Sequence, residues 1–246
     1  MSPINMRPIN MQYKRVLLKL SGEALMAQEG GIDLVILREL ASQVKEIRDL
    51  GVEIGIVLGG GNIFRGREGE RQGIDRVTGD YIGMLATVIN SLALQGTLEA
   101  LGVPAHVQTA LAIERMAEPY DRKTAMEYLQ NKRVVIFACG TGNPYFTNDT
   151  AAALRAIEMK AEVLMKATKV NGVYDKDPEA CNDAVFFPEI TYVEVLDRGL
   201  QVMDLTAITL CQENSLPVIV LNIREKDNMK RAVLGEHIGT IVRRKA

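Results

Sequence analysis

From Tyr13 onward the chain alternates between two apolar patterns. Short continuous runs have the length and composition of strands buried on both faces. They are Val16-Leu17-Leu18-Lys19-Leu20, Val52 to Leu58, Val134 to Ala138, Glu162 to Ala167 and Val218 to Leu221. Between them, apolar residues recur at helical spacing. Leu34, Leu37, Leu40, Val44 and Ile47 share one helix face, with Asp33 placed as N-cap and Gly51 just past the end. The same reading predicts helices over Asp80–Leu101 (stopped by Gly102 and Pro104), Lys123–Leu129, Thr150–Ala161, Met203–Asn214 and Asn228–Leu234. A short strand around Val107 and a closing strand over Thr240–Val242 complete the series.

This alternation predicts an α/β fold, a mainly parallel sheet sandwiched between helices in three layers. No linker-like shift in composition divides residues 14–246, which read as a single domain with two lobes. Residues 1–13 contain Pro-Ile-Asn-Met twice and read as a flexible tail.

Composition narrows the chemistry. At 246 residues and 47% apolar, the chain can bury a sizeable core, and its formal charge of −2 gives no electrostatic case for nucleic acid or a membrane surface. Trp is absent and aromatics are 5%, so base stacking along a strand is also a poor reading. Cys139, Cys181 and Cys211 are too few and scattered for a disulfide framework or a zinc site, and His106 and His237 have no metal-ligand spacing. No dedicated protein metal site is expected. No run approaches the ~18 apolar residues of a membrane span, and there is no secretory pattern at the N-terminus. A cytoplasmic location is expected.

Two glycine loops follow directly on apolar runs: Gly59-Gly60-Gly61-Asn62-Ile63-Phe64-Arg65-Gly66 and Gly140-Thr141-Gly142-Asn143-Pro144. Bare backbone at a strand end lets peptide N–H groups approach an anionic oxygen closely. On a parallel sheet, ligands bind outside the C-terminal strand ends, where both loops fall. Taken alone, each loop could be a tight turn. Together they suggest two phosphate-bearing ligands face to face, the geometry of a small-molecule kinase. Gly-Lys occurs nowhere in the chain and neither loop completes Gly-x-Gly-x-x-Gly, which demotes the P-loop and dinucleotide folds.

Charges at strand ends add to this. Lys19 interrupts an apolar run; it either snorkels to solvent or places a point charge on a transferring phosphoryl group, with Ser21 and Gly22 helping to hold phosphates. Lys166 mirrors it at the end of a second apolar strand. Arg65 either takes phosphate bidentately or is one of the solvated charges of the run 65–71, to which Arg67 and Arg71 are assigned. Asp149, at the start of an Ala-rich helix, is either a first-turn carboxylate or the group that positions the lysines. Asn171-Gly172 is either a hairpin turn or, with Tyr174 and the carboxylates beyond it, part of an adenine and ribose site.

Six blocks then carry a resemblance. They are Lys-Leu-Ser-Gly-Glu-Ala-Leu (19–25), Gly-Gly-Gly-Asn-Ile-Phe-Arg-Gly (59–66), Gly-Asp-Tyr-Ile-Gly-Met-Leu-Ala-Thr (79–87), Gly-Thr-Gly-Asn-Pro-Tyr-Phe-Thr (140–147), Lys-Ala-Thr-Lys-Val-Asn-Gly-Val-Tyr (166–174) and Val-Met-Asp (202–204). In this order they resemble the bacterial uridylate kinases of the amino acid kinase family. The resemblance implies phosphoryl transfer from ATP to UMP, giving UDP and ADP for pyrimidine nucleotide synthesis. It also implies Mg2+ held mainly by phosphates, a cytoplasmic homohexamer, activation by GTP and inhibition by UTP.

Carried over by position, Lys19, Leu20, Ser21, Gly22, Gly61 and Arg65 resemble the ATP phosphate side, and Thr168, Tyr174 and Asp177 the nucleoside side. Gly60, Asp80, Thr141, Gly142, Asn143, Pro144, Tyr145, Phe146, Thr147 and Asn148 resemble the UMP site. Asp80 is expected on ribose hydroxyls, and Thr141 and Asn143 on the uracil edge. Asn148 departs from the family, which more often has Thr there. Lys19, Arg65, Asp149 and Lys166 form the expected catalytic set, and Arg133 is a candidate effector residue at a subunit surface. Two other readings compete: a kinase of this fold acting on a carboxylate or carbamate, and a nucleotide-binding regulator without turnover.

Overall fold

A computed structural model describes residues 11–27, 29–66, 71, 73–113 and 115–245. At its centre are the apolar runs, which form parallel strands: β1 (Arg15–Leu20), β2 (Glu53–Leu58), β3 (Ala105–Thr109), β5 (Val134–Ala138), β6 (Val163–Thr168) and β10 (Val218–Asn222). With the short strands β4 (Glu118–Pro119), β9 (Glu189–Thr191) and β11 (Thr240–Arg243), they make a nine-stranded sheet in the order β4-β3-β5-β2-β1-β6-β10-β11-β9. Among the described residues, only the β10–β11 pair in this sheet is antiparallel. A separate ribbon pairs β7 (Val173–Tyr174) with β8 (Phe186–Phe187).

Alternation along the strands sorts side chains onto two faces. Val16, Leu18 and Leu20 of β1 join the core under α1 (Leu34–Asp49), α2 (Arg76–Ala100) and α7 (Asn228–Val233). Leu17 joins the core on the other face, under α3 (Arg122–Gln130), α4 (Asn148–Glu158), α5 (Tyr192–Asp197) and α6 (Leu205–Glu213). This is the three-layer α/β fold expected from the alternation. Cys139 and Cys211 are buried in these two cores.

Helix ends follow their caps. Asp33 caps α1, accepting from the Val35 and Ile36 amides. The Asp80–Leu101 helix instead begins at Arg76, because Asp75 accepts from the Val77 and Thr78 amides and stops the fraying there. α2, with 25 residues, contains no continuous apolar run of membrane-span length, yet by overall length and mean hydropathy it is long enough and apolar enough to cross a membrane. Met84, Val88, Leu94 and Leu98 nevertheless bury its inner side in the core. The Ala-rich helix starts at Asn148, with Thr147 as its N-cap.

Of the expected tail, residues 1–10 lie outside the described residues. Gln12 and Tyr13 are docked, their amides donating to the Val233 carbonyl at 3.1 and 3.4 Å. Arg67 is also outside the described residues, and Arg71 is exposed.

Candidate active site

β1 has β2 on one side and β6 on the other, so the chain changes direction across the sheet at β1. Such a switch point opens a crevice at the C-terminal strand ends. Lys19 and Lys166 are directly paired there in the β1–β6 register. Both project to the α4 face, where Asp149 in the first turn of α4 meets them. Lys19 Nζ lies 2.8 Å from Asp149 Oδ1, and Lys166 Nζ donates to Oδ2 at 2.8 Å. Lys166 also donates to the Val202 carbonyl. Asp149 is therefore both a first-turn carboxylate and the clasp between two strand-end lysines.

Burial alone pushes the Asp149 carboxyl up, but the charges of Lys19 and Lys166 outweigh it and hold the group below the usual carboxylate range. Burial holds the Lys166 ammonium below its ordinary value, with the Asp149 carboxylate opposing and the Lys19 charge adding. At the clasp itself two ammonium groups face one carboxylate, with the Asp204 carboxylate acting on Lys166 as a weaker second counter-charge.

A cleft of about 660 Å³ opens in front of the lysines. Lys19, Ser21, Lys166 and Thr168 line its inner end, and Tyr174 and Asp177 its outer end. The size suits a nucleotide-scale ligand. Tyr174 lies against Phe186 with ring centroids 5.3 Å apart, so one aromatic wall of the cleft is held by the β7–β8 ribbon.

A second cleft of about 520 Å³ lies over the ends of β2 and β5. Gly60, Gly61 and Arg65 form one wall, Thr141, Phe146, Thr147 and Asn148 another, and Asp80 from α2 a third. Glycine is required where the walls pack. A Cβ on Gly60 would stand 2.8 Å from Ala86 Cβ and the Gly83 carbonyl of α2. One on Gly22 would stand 2.6 Å from the Gly61 amide nitrogen and 2.7 Å from the Gly59 carbonyl. The turn after β1 and the loop after β2 are thus in backbone contact.

Two features join the clefts. Glu23 lines both, and its carboxylate is 2.9 Å from Arg65 and 4.0 Å from Lys169. The start of α4 also spans them, with Thr147 and Asn148 in the second cleft and Asp149 on the lysines of the first. Residues 14–222 match the model of the amino acid kinase family. The chain belongs to the amino acid kinase family. It is thereby a phosphotransferase.

Among solved structures of this family, the chain is similar to the UMP kinase from Bacillus anthracis, with 42% identity over 95% of this chain and 97% of that one and a TM-score of 0.92. It is also similar to the UMP kinase from Ureaplasma parvum, with 35% identity, coverage of 95% and 100%, and a TM-score of 0.88. The uridylate kinase from Archaeoglobus fulgidus matches at 29% identity, coverage of 92% and 99%, and a TM-score of 0.71.

Within this amino acid kinase framework most of the expected residues gather at the two clefts, with some differences in placement. Gly61 and Arg65, expected on the donor side, line the second cleft beside Gly60, and Arg65 reaches Glu23 at the boundary. Leu20 is buried in the sheet and Gly22 is a packing contact, so neither lines a cleft. Gly142, Asn143, Pro144 and Tyr145 stand outside the second cleft's wall. There the Asn143 amide donates to Thr141 Oγ1 at 3.2 Å, and the Tyr145 amide donates to Asp80 Oδ2 at 2.7 Å. Asp80 also accepts from Arg76 Nε at 2.9 and 3.0 Å, so it ties the 140–147 loop to α2.

Asn171-Gly172 is not a two-residue hairpin turn, since the partner of β7 is Phe186–Phe187. Asn171 instead accepts from Asn222 Nδ2 at 2.9 Å at the end of β10. Arg133 lies apart from both clefts, beside His106 at 3.1 Å.

Sequence reasoning missed Glu23 and Asp204. Asp204 caps α6 through the Ala207 amide and accepts from both Thr147 and Thr150, fixing the start of α4. Its signal was the Val202-Met203-Asp204 block, read only as part of the resemblance.

Proposed function

We propose that this enzyme is a UMP kinase, transferring the γ-phosphoryl group of ATP to UMP and releasing UDP and ADP. The observation that carries the reading is the pair of clefts meeting at one cation set, with Glu23 and the start of α4 common to both. Two solved relatives at 42% and 35% identity that are named UMP kinases support UMP as the acceptor.

In this reading ATP occupies the first cleft and UMP the second. A phosphate oxygen of UMP attacks the γ-phosphorus in line, and the bond from that phosphorus to the bridging oxygen of ADP breaks. The acceptor is already an anion at neutral pH, so the step needs no strong general base. Catalysis is positioning plus charge stabilisation by Lys19, Lys166, Arg65 and the glycine-loop amides, with Asp149 orienting the lysines. Thr168, Tyr174 and Asp177 hold the donor nucleoside, and Asp80 and residues 141–148 the acceptor.

The residues present suit a phosphate-held Mg2+. Among the described residues no cluster of three or more His, Cys, Asp or Glu side chains could cage a metal, and Asp149 and Glu23 face cations. The ion would rest on phosphate oxygens and water and neutralise phosphate charge. We further propose a cytoplasmic, homohexameric enzyme of pyrimidine nucleotide synthesis, activated by GTP and inhibited by UTP, on the strength of the sequence resemblance.

The test is a coupled ADP-release assay over UMP, CMP, dUMP, acetylglutamate and carbamate, with and without GTP and UTP. The expected result is turnover of UMP above all others. Turnover of a carboxylate or carbamate would replace the acceptor, and turnover of none would favour a nucleotide-binding regulator.

A further inference from the structure

Asn90 is fully buried on the inner side of the apolar helix α2. A buried amide among apolar neighbours costs stability unless its polar atoms are bonded. Here they are. Asn90 Nδ2 donates to the Gly59 carbonyl at 2.7 Å and to Asn62 Oδ1 at 2.8 Å. Asn62 Nδ2 returns a bond to Asn90 Oδ1 at 3.1 Å and donates to the Gly31 carbonyl at 3.0 Å. Asn62 is itself 7% exposed.

The reciprocal pair stands where backbone segments from both clefts converge. Gly59 begins the loop that walls the second cleft, and its amide donates to the Leu20 carbonyl of β1 at 2.9 Å. Asn62 Oδ1 lies 2.8 Å from the point where a Cβ on Gly22 would be, so the side chain seats directly against the turn that begins the first cleft. The Gly31 carbonyl brings in the loop between β1 and α1. Core packing alone would be met by leucine at position 90. What only an amide provides is a donor for the Gly59 carbonyl together with both halves of the exchange with Asn62.

We infer that Asn62 and Asn90 are a positioning pair for phosphoryl transfer, holding the glycine loop of one cleft at a fixed separation from the phosphate turn of the other. The inference rests on the phosphotransfer reading above. Neither residue touches a reacting atom. Each acts through the Gly59–Gly61 backbone, so its loss moves one phosphate site relative to the other while leaving each site formed.

The experiment compares wild type with Asn90→Leu, Asn62→Ala and the double variant in the full-length enzyme, with ATP and UMP, at a temperature where circular dichroism shows each folded. A misplacement of about 1 Å between reacting groups costs about 100-fold, so kcat for Asn90→Leu should fall by that order with both KM values within about threefold. The double variant should be no slower than Asn90→Leu, because the two side chains act as one unit. A kcat within about twofold of wild type, or single losses that multiply in the double variant, would overturn the pairing.

If Asn90→Leu does not fold, Asn62→Ala and Asn62→Ser decide by the same criteria. Amide hydrogen exchange over residues 59–62 needs no substrate and separates this inference from the acceptor assignment. Exchange at least about tenfold faster in the variants supports the pair, and unchanged exchange overturns it whether or not UMP is the acceptor.

Discussion

The two clefts present positive charge by different means. In the first, the ammonium groups of Lys19 and Lys166 extend from neighbouring strands, with side-chain exposures of 11% and 15%, and one carboxylate pins both. In the second, glycine backbone from two loops and α2 alternates with side chains in the walls, and the guanidinium groups of Arg65 and Arg76 are 49% and 42% exposed and face Glu23 and Asp80. Buried, fixed charges act strongly on charge that develops during a reaction, whereas exposed charges are screened and mobile. The first cleft should therefore dominate turnover, with Arg65 and the glycine-loop amides adding to it, and Asp80 with the exposed side of the second cleft should govern binding of the acceptor.

The largest expected effect tests the first half of that contrast. Lys19→Met removes one ammonium and leaves Asp149 and Lys166 as a neutral pair, so the fold should be retained. Loss of one fixed group that stabilises transition-state charge costs about 100- to 1,000-fold in kcat. Steady-state kinetics should show that fall with little change in the KM for UMP. A variant with wild-type kcat and a raised KM would place Lys19 in binding alone and break the comparison.

Asp149→Asn should act on stability as well as turnover. It leaves two ammonium groups facing each other with no carboxylate between them, and breaking a buried pair in this way costs about 3–5 kcal/mol. The pH dependence follows from the carboxyl being held below its ordinary range by Lys19 and Lys166 against the effect of burial. A carboxylate whose pKa is lowered on folding contributes stability in full above its unfolded value, about 4, and loses it as pH falls through the folded value. Urea unfolding should show the whole gap between wild type and Asp149→Asn near neutrality, narrowing progressively at acid pH. A gap independent of pH would mean that the carboxylate's charge is not what holds the lysines.

What could be read in advance, and what could not, follows the range of the interactions. The central strands were legible because burial on both faces leaves continuous apolar runs, and Lys19 and Lys166 were legible as exceptions to those runs. The role of Asp149 was legible only as one of two alternatives. Its N-cap neighbour Thr147 satisfies the local rule, and the lysines reach it only through the register of β1 and β6. The ribbon β7–β8 and the strand β9 are two or three residues long, too short to show a period. α5 did carry a signal, since Thr191 and Glu194 form a reciprocal capping box. Asn90 was concealed in the opposite way, as one polar residue in a helix whose apolar character dominates any window through it.

The smallest effect tests the second half of the contrast. Asp80 holds Arg76 with both carboxylate oxygens and receives the Tyr145 amide, where Tyr145 adopts a left-handed φ of 71° that a non-glycine residue needs support to keep. Asp80→Asn can still accept from the Tyr145 amide through its carbonyl oxygen, but it presents an NH2 group or a single weak acceptor to Arg76. The 140–147 loop should stay in place while the polar end of the acceptor site loosens. A loss of about 1.4 kcal/mol in acceptor binding is a tenfold rise in the KM for UMP, with kcat and the KM for ATP near wild type. The ATP arm makes the result specific, because a general loss of fold would move both constants together. A fall in kcat at unchanged KM would put Asp80 with the lysines and erase the division of labour between the clefts.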